Sequence, residues 1–269
     1  MTDRYAVIGN PVAHSKSPLI HAEFARQTGD DMEYVSLYSP LERFAETVRR
    51  FRSEGGRGAN VTLPFKEEAF RLATSCTDRA RLAEAVNTMR FEGEQLLGDN
   101  TDGAGLLADI TSNLGVFLPG KRVLLLGAGG AARGVIAPLL AASPRSLSIA
   151  NRGLDKALAL ARKFSNGVEA LPYPELAGRS FDIVINATSA SLSGSLPPVP
   201  EGVFRRSELA YDMMYGKGDT PFLRRARIEG AGITADGLGM LVEQAAESYH
   251  FWRGIRPRTQ EVLAMLRRA

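Results

Sequence analysis

Apolar positions change period repeatedly along this chain, and each change predicts an element. "YAVIGNP" is a short apolar run halted by Gly9, Asn10 and Pro11, which predicts a buried strand and then a loop. In "SPLIHAEFARQTG" the inner helical face is Leu19, Ile20 and Phe24, with Ser17 as cap, Pro18 at the first helical position and Gly29 as stop. "MEYVSLYSP" alternates as a strand does. Ser39 with Glu42 three residues on makes a capping-box pattern around Pro40. Leu41, Phe44, Ala45, Val48 and Phe51 then recur at helical spacing. With the strand in "GANVTLPFKE", the first hundred or so residues read strand, helix, strand, helix, strand, an α/β unit.

A second unit opens near Gly103. "KRVLLLGAGGAARGVIAPLLAAS" is an apolar run, a glycine turn and an apolar helix. "SLSIANR" and "FDIVINATS" are further buried strands that end in polar residues, and "LAYDMMYG" and "GITADG" are the last two. "SLSGSLPPVPEG" between them is a loop by its serines, prolines and glycines. Helical pattern returns in the tail, with Met240, Leu241, Ala245 and Tyr249 on one side, then Val262, Leu263 and Leu266 inward.

Composition narrows the function classes. The chain has 269 residues, 44% hydrophobic and 23% charged, enough for two domains with sizeable cores. The net charge of +3 is spread over single and paired basic residues, which speaks against nucleic acid as partner and suits a small anionic ligand. One cysteine, Cys76, excludes an internal disulfide and a multi-cysteine metal knot, and a reducing, cytoplasmic setting is the simple reading. With no histidine near it, Cys76 reads as structural. The first residues do not form a signal peptide, and no run of eighteen apolar residues predicts a membrane span. His14 and His21 lack partners at metal-ligand spacing, so they read as surface or helix histidines and no metal is expected.

"VLLLGAGGAA" places Gly127, Gly129 and Ala132 in the G-x-G-x-x-[G/A] pattern, strand before and helix after. Gly127 permits the tight turn, Gly129 lets backbone approach a pyrophosphate, and unpaired helix amides face the anion. Asn151 lies 24 positions beyond Gly127, where an NAD-binding chain offers an acid to the ribose. Here the residues are Asn151, Arg152 and Lys156. A guanidinium pairs with a 2′-phosphate that a carboxylate would repel, so the expected cofactor is NADP. Asp155 fits the first turn of the next helix.

Outside the nucleotide half, polar residues gather at strand ends: Ser15 and Ser17, Asn60, Thr62 and Lys66, Asn87, then Asn100, Thr101 and Asp102. Taken singly, each has a plainer use, since "DNTDG" is a good turn and Asn87 stops a helix equally well. As a set they suit a small polyhydroxylated substrate. A carbonyl that accepts hydride also needs a proton, and Lys66 can supply it if its surroundings bring its acidity toward neutrality, with Asp102 orienting it.

"GNPVAHSKSP", "NVTLPFKE", "AVNT", "GDNTDG", "GAGGAAR", "ANR", "NATS", "YDMMYGK" and "GLGMLVEQAAESY" stand in the order found in shikimate dehydrogenases, which the chain resembles from about residue 5 to 257. The resemblance implies reversible NADPH-dependent reduction of 3-dehydroshikimate to shikimate, a step of chorismate and aromatic amino-acid biosynthesis. It implies a catalytic pair at Lys66 and Asp102. Substrate contacts would come from Ser15, Ser17, Asn60, Thr62, Lys66, Asn87, Asp102, Tyr215 and Gln244. Cofactor contacts would come from Asp78, Gly127, Ala128, Gly129, Gly130, Ala131, Asn151, Arg152, Lys156, Thr188, Ser189, Met213 and Gly237.

The implied fold is two α/β domains with a cleft between them. A substrate domain would span 1–102 plus 238–269, its C-terminal helices packing back on it, and a Rossmann-type doubly wound NADP-binding domain would span 103–237. Monomer or homodimer are both open. Two departures from the family pattern, Gly153 after Arg152 and Lys156 in place of arginine, predict a looser hold on NADP. A quinate/shikimate dehydrogenase with relaxed substrate or cofactor choice and a non-catalytic NADP-binding sensor are the alternatives; the missing acid at residues 151–153 speaks against NAD, and retention of Lys66 and Asp102 against the sensor.

Overall fold

The structure is a computed structural model that describes residues 2–164, 167–216 and 218–268. Lys217, which closes "YDMMYGK", lies outside the described residues. The chain forms two compact units, Met1–Gly105 with Leu241–Ala269, and Leu106–Met240.

The first unit runs β1 (Asp3–Gly9), α1 (Ser17–Thr28), β2 (Met32–Tyr38), α2 (Phe44–Ser53), β3 (Gly56–Val61), α3 (Lys66–Leu72), β4 (Ser75–Cys76), α4 (Asp78–Ala83), β5 (Thr88–Glu92) and β6 (Gln95–Asp99). Its sheet has the order β2-β1-β3-β5-β6-β4. β1 pairs in parallel with β2 and β3, while β3–β5 and β5–β6 are antiparallel. The core beneath it includes Ile8, Phe44, Val48, Val61 and Phe65, with Phe44 and Phe65 stacked at 4.8 Å.

The predicted strand–helix alternation therefore holds as far as β3, and a hairpin the periodicity did not announce follows it. Asn60 pairs with Thr88 and Thr88 with Asp99. The end of β3, the start of β5 and the end of β6 thus share one edge of the sheet. The ends of the parallel strands β1 and β2 lie at that edge too.

Local expectations differ at three places. Ser17 does not cap α1: the cap position is Lys16, and the Ser15 hydroxyl accepts the Ser17 N–H at 3.2 Å. Leu19 is exposed, and the inner face it was expected to share is filled by His21, wholly buried with Ile20 and Phe24. Residues 41–43 form a 3₁₀ turn ahead of α2, so Glu42 does not sit where a capping box requires it. The Ser39 hydroxyl instead lies 3.0 Å from that of Thr47, and Leu41 is exposed.

α5 (Asp102–Ala108) leads into a π-helical turn (Asp109–Asn113) and the second unit. This unit runs β7 (Arg122–Leu126), α6 (Gly130–Ala141), β8 (Ser146–Ala150), α7 (Leu154–Arg162), β9 (Val168–Leu171), β10 (Ile183–Asn186), β11 (Leu209–Asp212), α8 (Pro221–Glu229) and β12 (Ile233–Asp236). The sheet is parallel throughout, in the order β12-β11-β10-β7-β8-β9. Central strands buried along their whole length read as unbroken apolar runs for that reason. Strand order reverses at β7, which makes the carboxyl ends of β7, β8 and β10 the place where a doubly wound sheet binds ligands. α9 (Leu238–Arg253) and α10 (Gln260–Arg268) complete the chain.

Candidate active site

The polar edge of the first sheet is built by close backbone approach. Gly9 has no side chain because the Thr62 methyl fills the space where a Cβ would stand. The Thr62 N–H reaches the Ile8 carbonyl at 3.0 Å. Val86 donates its N–H to the Lys66 carbonyl at 2.9 Å and Asn87 to that of Asp99 at 3.0 Å, which ties the start of α3 to the β5–β6 hairpin.

On this frame Lys66 Nζ stands 2.6 Å from Asp102 Oδ2. The ammonium side chain is 17% exposed and the carboxylate 6%. Such a pair loses much hydration, and its attraction alone does not reliably repay that loss. Further donors must complete the carboxylate, and Asn87 Nδ2 does so at 2.8 Å from Oδ1. Asn87 is held in turn: its Oδ1 accepts the Thr101 N–H at 2.8 Å, which fixes the amide with its nitrogen toward Asp102. Gln244 Oε1, on α9, accepts from the same nitrogen at 3.2 Å. A lysine has three N–H donors and Asp102 takes one, so the ammonium retains capacity for a ligand.

Sequence-predicted residues fare unequally. Lys66, Asn87, Asp102 and Gln244 converge directly. Ser15 and Ser17 follow the end of β1, and Thr62 follows β3, at the same edge. Asn60 is also there, but Tyr34 donates to its Oδ1 at 2.7 Å, and its Nδ2 faces Asn87 O, Thr88 Oγ1 and Ser248 Oγ at 3.2, 3.1 and 2.9 Å. Its two N–H hydrogens face three acceptors, as do those of Asn87, which meet Thr101 Oγ1, Asp102 Oδ1 and Gln244 Oε1. Sequence reasoning also missed Thr88 and Ser248, wholly buried with hydroxyls 2.7 Å apart, and Asp99. Burial pushes the Asp99 acid up, but the Arg79 guanidinium and the Thr77 hydroxyl outweigh it and hold the group below its ordinary range. Those partners reach it through the parallel pairing of β4 with β6, which puts Cys76 beside Gly98. Tyr215 lies half-buried on the loop after β11 in the second unit, and Asp78 opens α4 in the first, exposed and paired with Arg81.

In the second unit Gly127 has φ +109°, a left-handed value that glycine accommodates best, and donates its N–H to the Ala150 carbonyl at 2.8 Å. Gly129 stands at the cap of α6, no side chain caps that helix, and a Cβ on Gly129 or Gly130 would meet nothing within 4 Å. Ala128 and Ala131 complete the turn. Open space over uncapped amides fits a pyrophosphate. After β8, Asn151 Nδ2 donates to the Gly153 carbonyl at 2.9 Å, while Arg152 and Lys156 are exposed and Asp155 lies in the first turn of α7. Two exposed cations at this position fit a phosphate. Thr188, Ser189, Met213 and Gly237 occupy the loops after β10, β11 and β12.

A doubly wound sheet with an open glycine turn, together with a unit carrying a lysine–aspartate pair among hydroxyls and amides, defines a pyridine-nucleotide-dependent dehydrogenase. Residues 7–89 match the shikimate dehydrogenase substrate binding domain, 110–193 the shikimate / quinate 5-dehydrogenase family and 237–267 the shikimate 5′-dehydrogenase C-terminal domain. The chain is 62% identical to a shikimate dehydrogenase (NADP(+)) of Dechloromonas aromatica, over 99% of this chain and 98% of that one. Among solved structures, an Ael1 enzyme from Pseudomonas putida is 52% identical with a TM-score of 0.94, covering 98% of both chains. Shikimate 5-dehydrogenase from Thermus thermophilus, solved with NADP(H) and shikimate, is 34% identical with a TM-score of 0.89 over 99% of both chains. The chain belongs to the shikimate dehydrogenase family.

Proposed function

We propose that this chain reduces 3-dehydroshikimate to shikimate reversibly with NADPH, serving chorismate and aromatic amino-acid biosynthesis in the cytoplasm, as a monomer or homodimer. The observation that carries the reading is the 2.6 Å contact between Lys66 and Asp102, braced through Asn87. When bound, NADPH supplies the hydride. Lys66 Nζ gives a proton to the ketone oxygen as it becomes a hydroxyl, and takes it back in the oxidative direction. Asp102 holds that ammonium through Oδ2 and accepts a substrate hydroxyl on its remaining lone pairs. Ser15, Ser17, Asn60, Thr62, Asn87, Gln244 and Tyr215 bind and orient the substrate.

The cofactor is held by Gly127 to Ala131, by Asn151, Arg152 and Lys156 at the 2′-phosphate, and by Asp78, Thr188, Ser189, Met213 and Gly237. Initial rates with shikimate and NADP⁺, followed at 340 nm, test the reading. Lys66→Ala is expected to lower kcat by about 10²- to 10⁴-fold. A kcat within threefold of wild type from pH 6 to 10 removes the proton role, and a raised KM alone reduces Lys66 to binding. Comparable kcat/KM with quinate, or with NAD⁺, would overturn the choice of substrate or of cofactor.

A further inference from the structure

The residues assigned to the nicotinamide side leave three different strands, and one buried pair ties those loops together. Asn186 ends β10, Asp212 ends β11, the two are register partners, and both are wholly buried. Asp212 accepts from Ser191 Oγ and Thr220 Oγ1, each at 2.6 Å, from Asn186 Nδ2 at 3.0 Å and from the Met214 N–H at 3.1 Å. A carboxylate offers about four acceptor sites, so this one is fully used. Asn186 Oδ1 accepts both the N–H and the hydroxyl of Thr188, at 3.1 and 2.7 Å.

From this pair the loops are set outward. The Thr188 methyl lies 3.1 Å from where a Cβ on Gly127 would stand, which seats the loop after β10 against the first glycine of the turn. The Met214 carbonyl accepts the Gly237 N–H at 3.1 Å, and the Met213 carbonyl oxygen occupies the space a Cβ on Gly237 would need. Thr220 caps α8 through the Leu223 N–H at 3.2 Å. An apolar pair would fill the same volume without burying a charge, and burial does push the Asp212 acid up. What the polar pair adds is fixed direction for several backbone segments at once.

We infer that Asn186 and Asp212 are positioning residues for the cofactor: they hold the loops after β10, β11 and β12 in the one arrangement that receives the nicotinamide end. This rests on the functional reading above, in which the second unit binds NADP(H).

The test uses Asp212→Asn, the exchange variant Asn186→Asp/Asp212→Asn, and wild type. NADP⁺ and shikimate dissociation constants are measured separately by calorimetry, with kcat and both KM values by initial rates. Asp212→Asn deprives four donors of a charged acceptor and is expected to weaken NADP⁺ about ten- to hundredfold, and shikimate, which these loops would reach only through Tyr215, by about threefold or less. The exchange variant returns a carboxylate to the cluster, facing Thr188, and should recover about tenfold of that loss. Wild-type NADP⁺ affinity in Asp212→Asn, or equal loss of both ligands, overturns the inference. Should Asp212→Asn fail to fold, Thr220→Val decides, with about three- to tenfold weaker NADP⁺ expected and no change overturning it. A wild type that binds shikimate but not NADP⁺ instead overturns the functional reading, and the inference with it.

Discussion

Replacing Gly105 by alanine sets two magnitudes against each other. Within a helix the exchange gains about 1 kcal/mol of intrinsic propensity, so at an open position it would stabilise. Gly105 is not open. A Cβ there would stand 2.6 Å from Gln244 Cβ, 2.7 Å from its backbone nitrogen and 2.9 Å from its Cα. Carbon atoms rest at roughly 3.5–4.0 Å, so about 1 Å must be found, and the obstacles are backbone rather than a movable side-chain tip. Overpacking of this kind costs about 1–3 kcal/mol, which exceeds or cancels the propensity gain.

The rate should suffer more than the stability. Asn87 Nδ2 reaches Asp102, three residues before Gly105 on α5, at 2.8 Å and Gln244, on α9, at 3.2 Å. Parting Gly105 from Gln244 by about 1 Å leaves the amide able to serve one of them well, and misplacement on that scale costs about a hundredfold. Shikimate-dependent reduction of NADP⁺ at 340 nm reads kcat/KM, and calorimetric melting reads stability. The expected result is a kcat/KM lower by about two orders of magnitude with a drop in Tm of a few degrees or less. A variant that melts higher than wild type and keeps kcat/KM within threefold refutes the reasoning.

Gly129→Ala is the complementary case: its Cβ would meet nothing within 4 Å, so the melting temperature should stay put while KM for NADP⁺ rises at least about tenfold through lost backbone approach. An unchanged nucleotide KM would mean that the pyrophosphate does not rest there. His21→Phe separates pH from packing. The ring stacks on Tyr34 at 4.2 Å, neither nitrogen meets a hydrogen-bond partner among the described residues, and burial depresses the imidazole to about 3, with the nearby Asn60 side chain opposing it in part. Between about 6.5 and 3 the unfolded chain takes a proton that the folded one refuses, so wild type is fully stabilised above that window and loses up to about 1.4 kcal/mol per pH unit on descending through it. The phenylalanine variant lacks that slope, and its advantage in urea unfolding should grow from pH 7 to pH 5; an equal difference at both would sink the argument.

What could be read without coordinates was local. The glycine turn is legible because strand, turn and helix follow one another without interruption from Arg122 to Ala141, and the two halves show in the change of pattern near Gly103. The β5–β6 hairpin was less visible, although Gly93, with φ +51° between two short strands, is the turn signal that could have revealed it. β9 has four residues of which only Leu171 is fully buried, so no period exists to detect. His21 passed as a surface or ordinary helix residue because nothing adjacent predicts an aromatic cage assembled from Phe24, Tyr34, Tyr249 and Trp252.

The deeper obstacle is that residue type does not say how many partners a polar group has. Asn60, Asp102 and Asp212 each lie at or just beyond the end of an apolar strand, the same signature in each case. Asn60 finds its partners 26 and 188 positions away, in Tyr34 and Ser248. Asp212 is saturated by four donors and can only brace. Asp102 receives one side-chain donor on each oxygen, from Asn87 and Lys66, and keeps lone pairs for a substrate hydroxyl. A group with spare hydrogen-bonding capacity at a partly open edge can do chemistry; one whose capacity is spent holds its neighbours in place. That count depends on contacts between distant segments, and it separates the working carboxylate from the structural one.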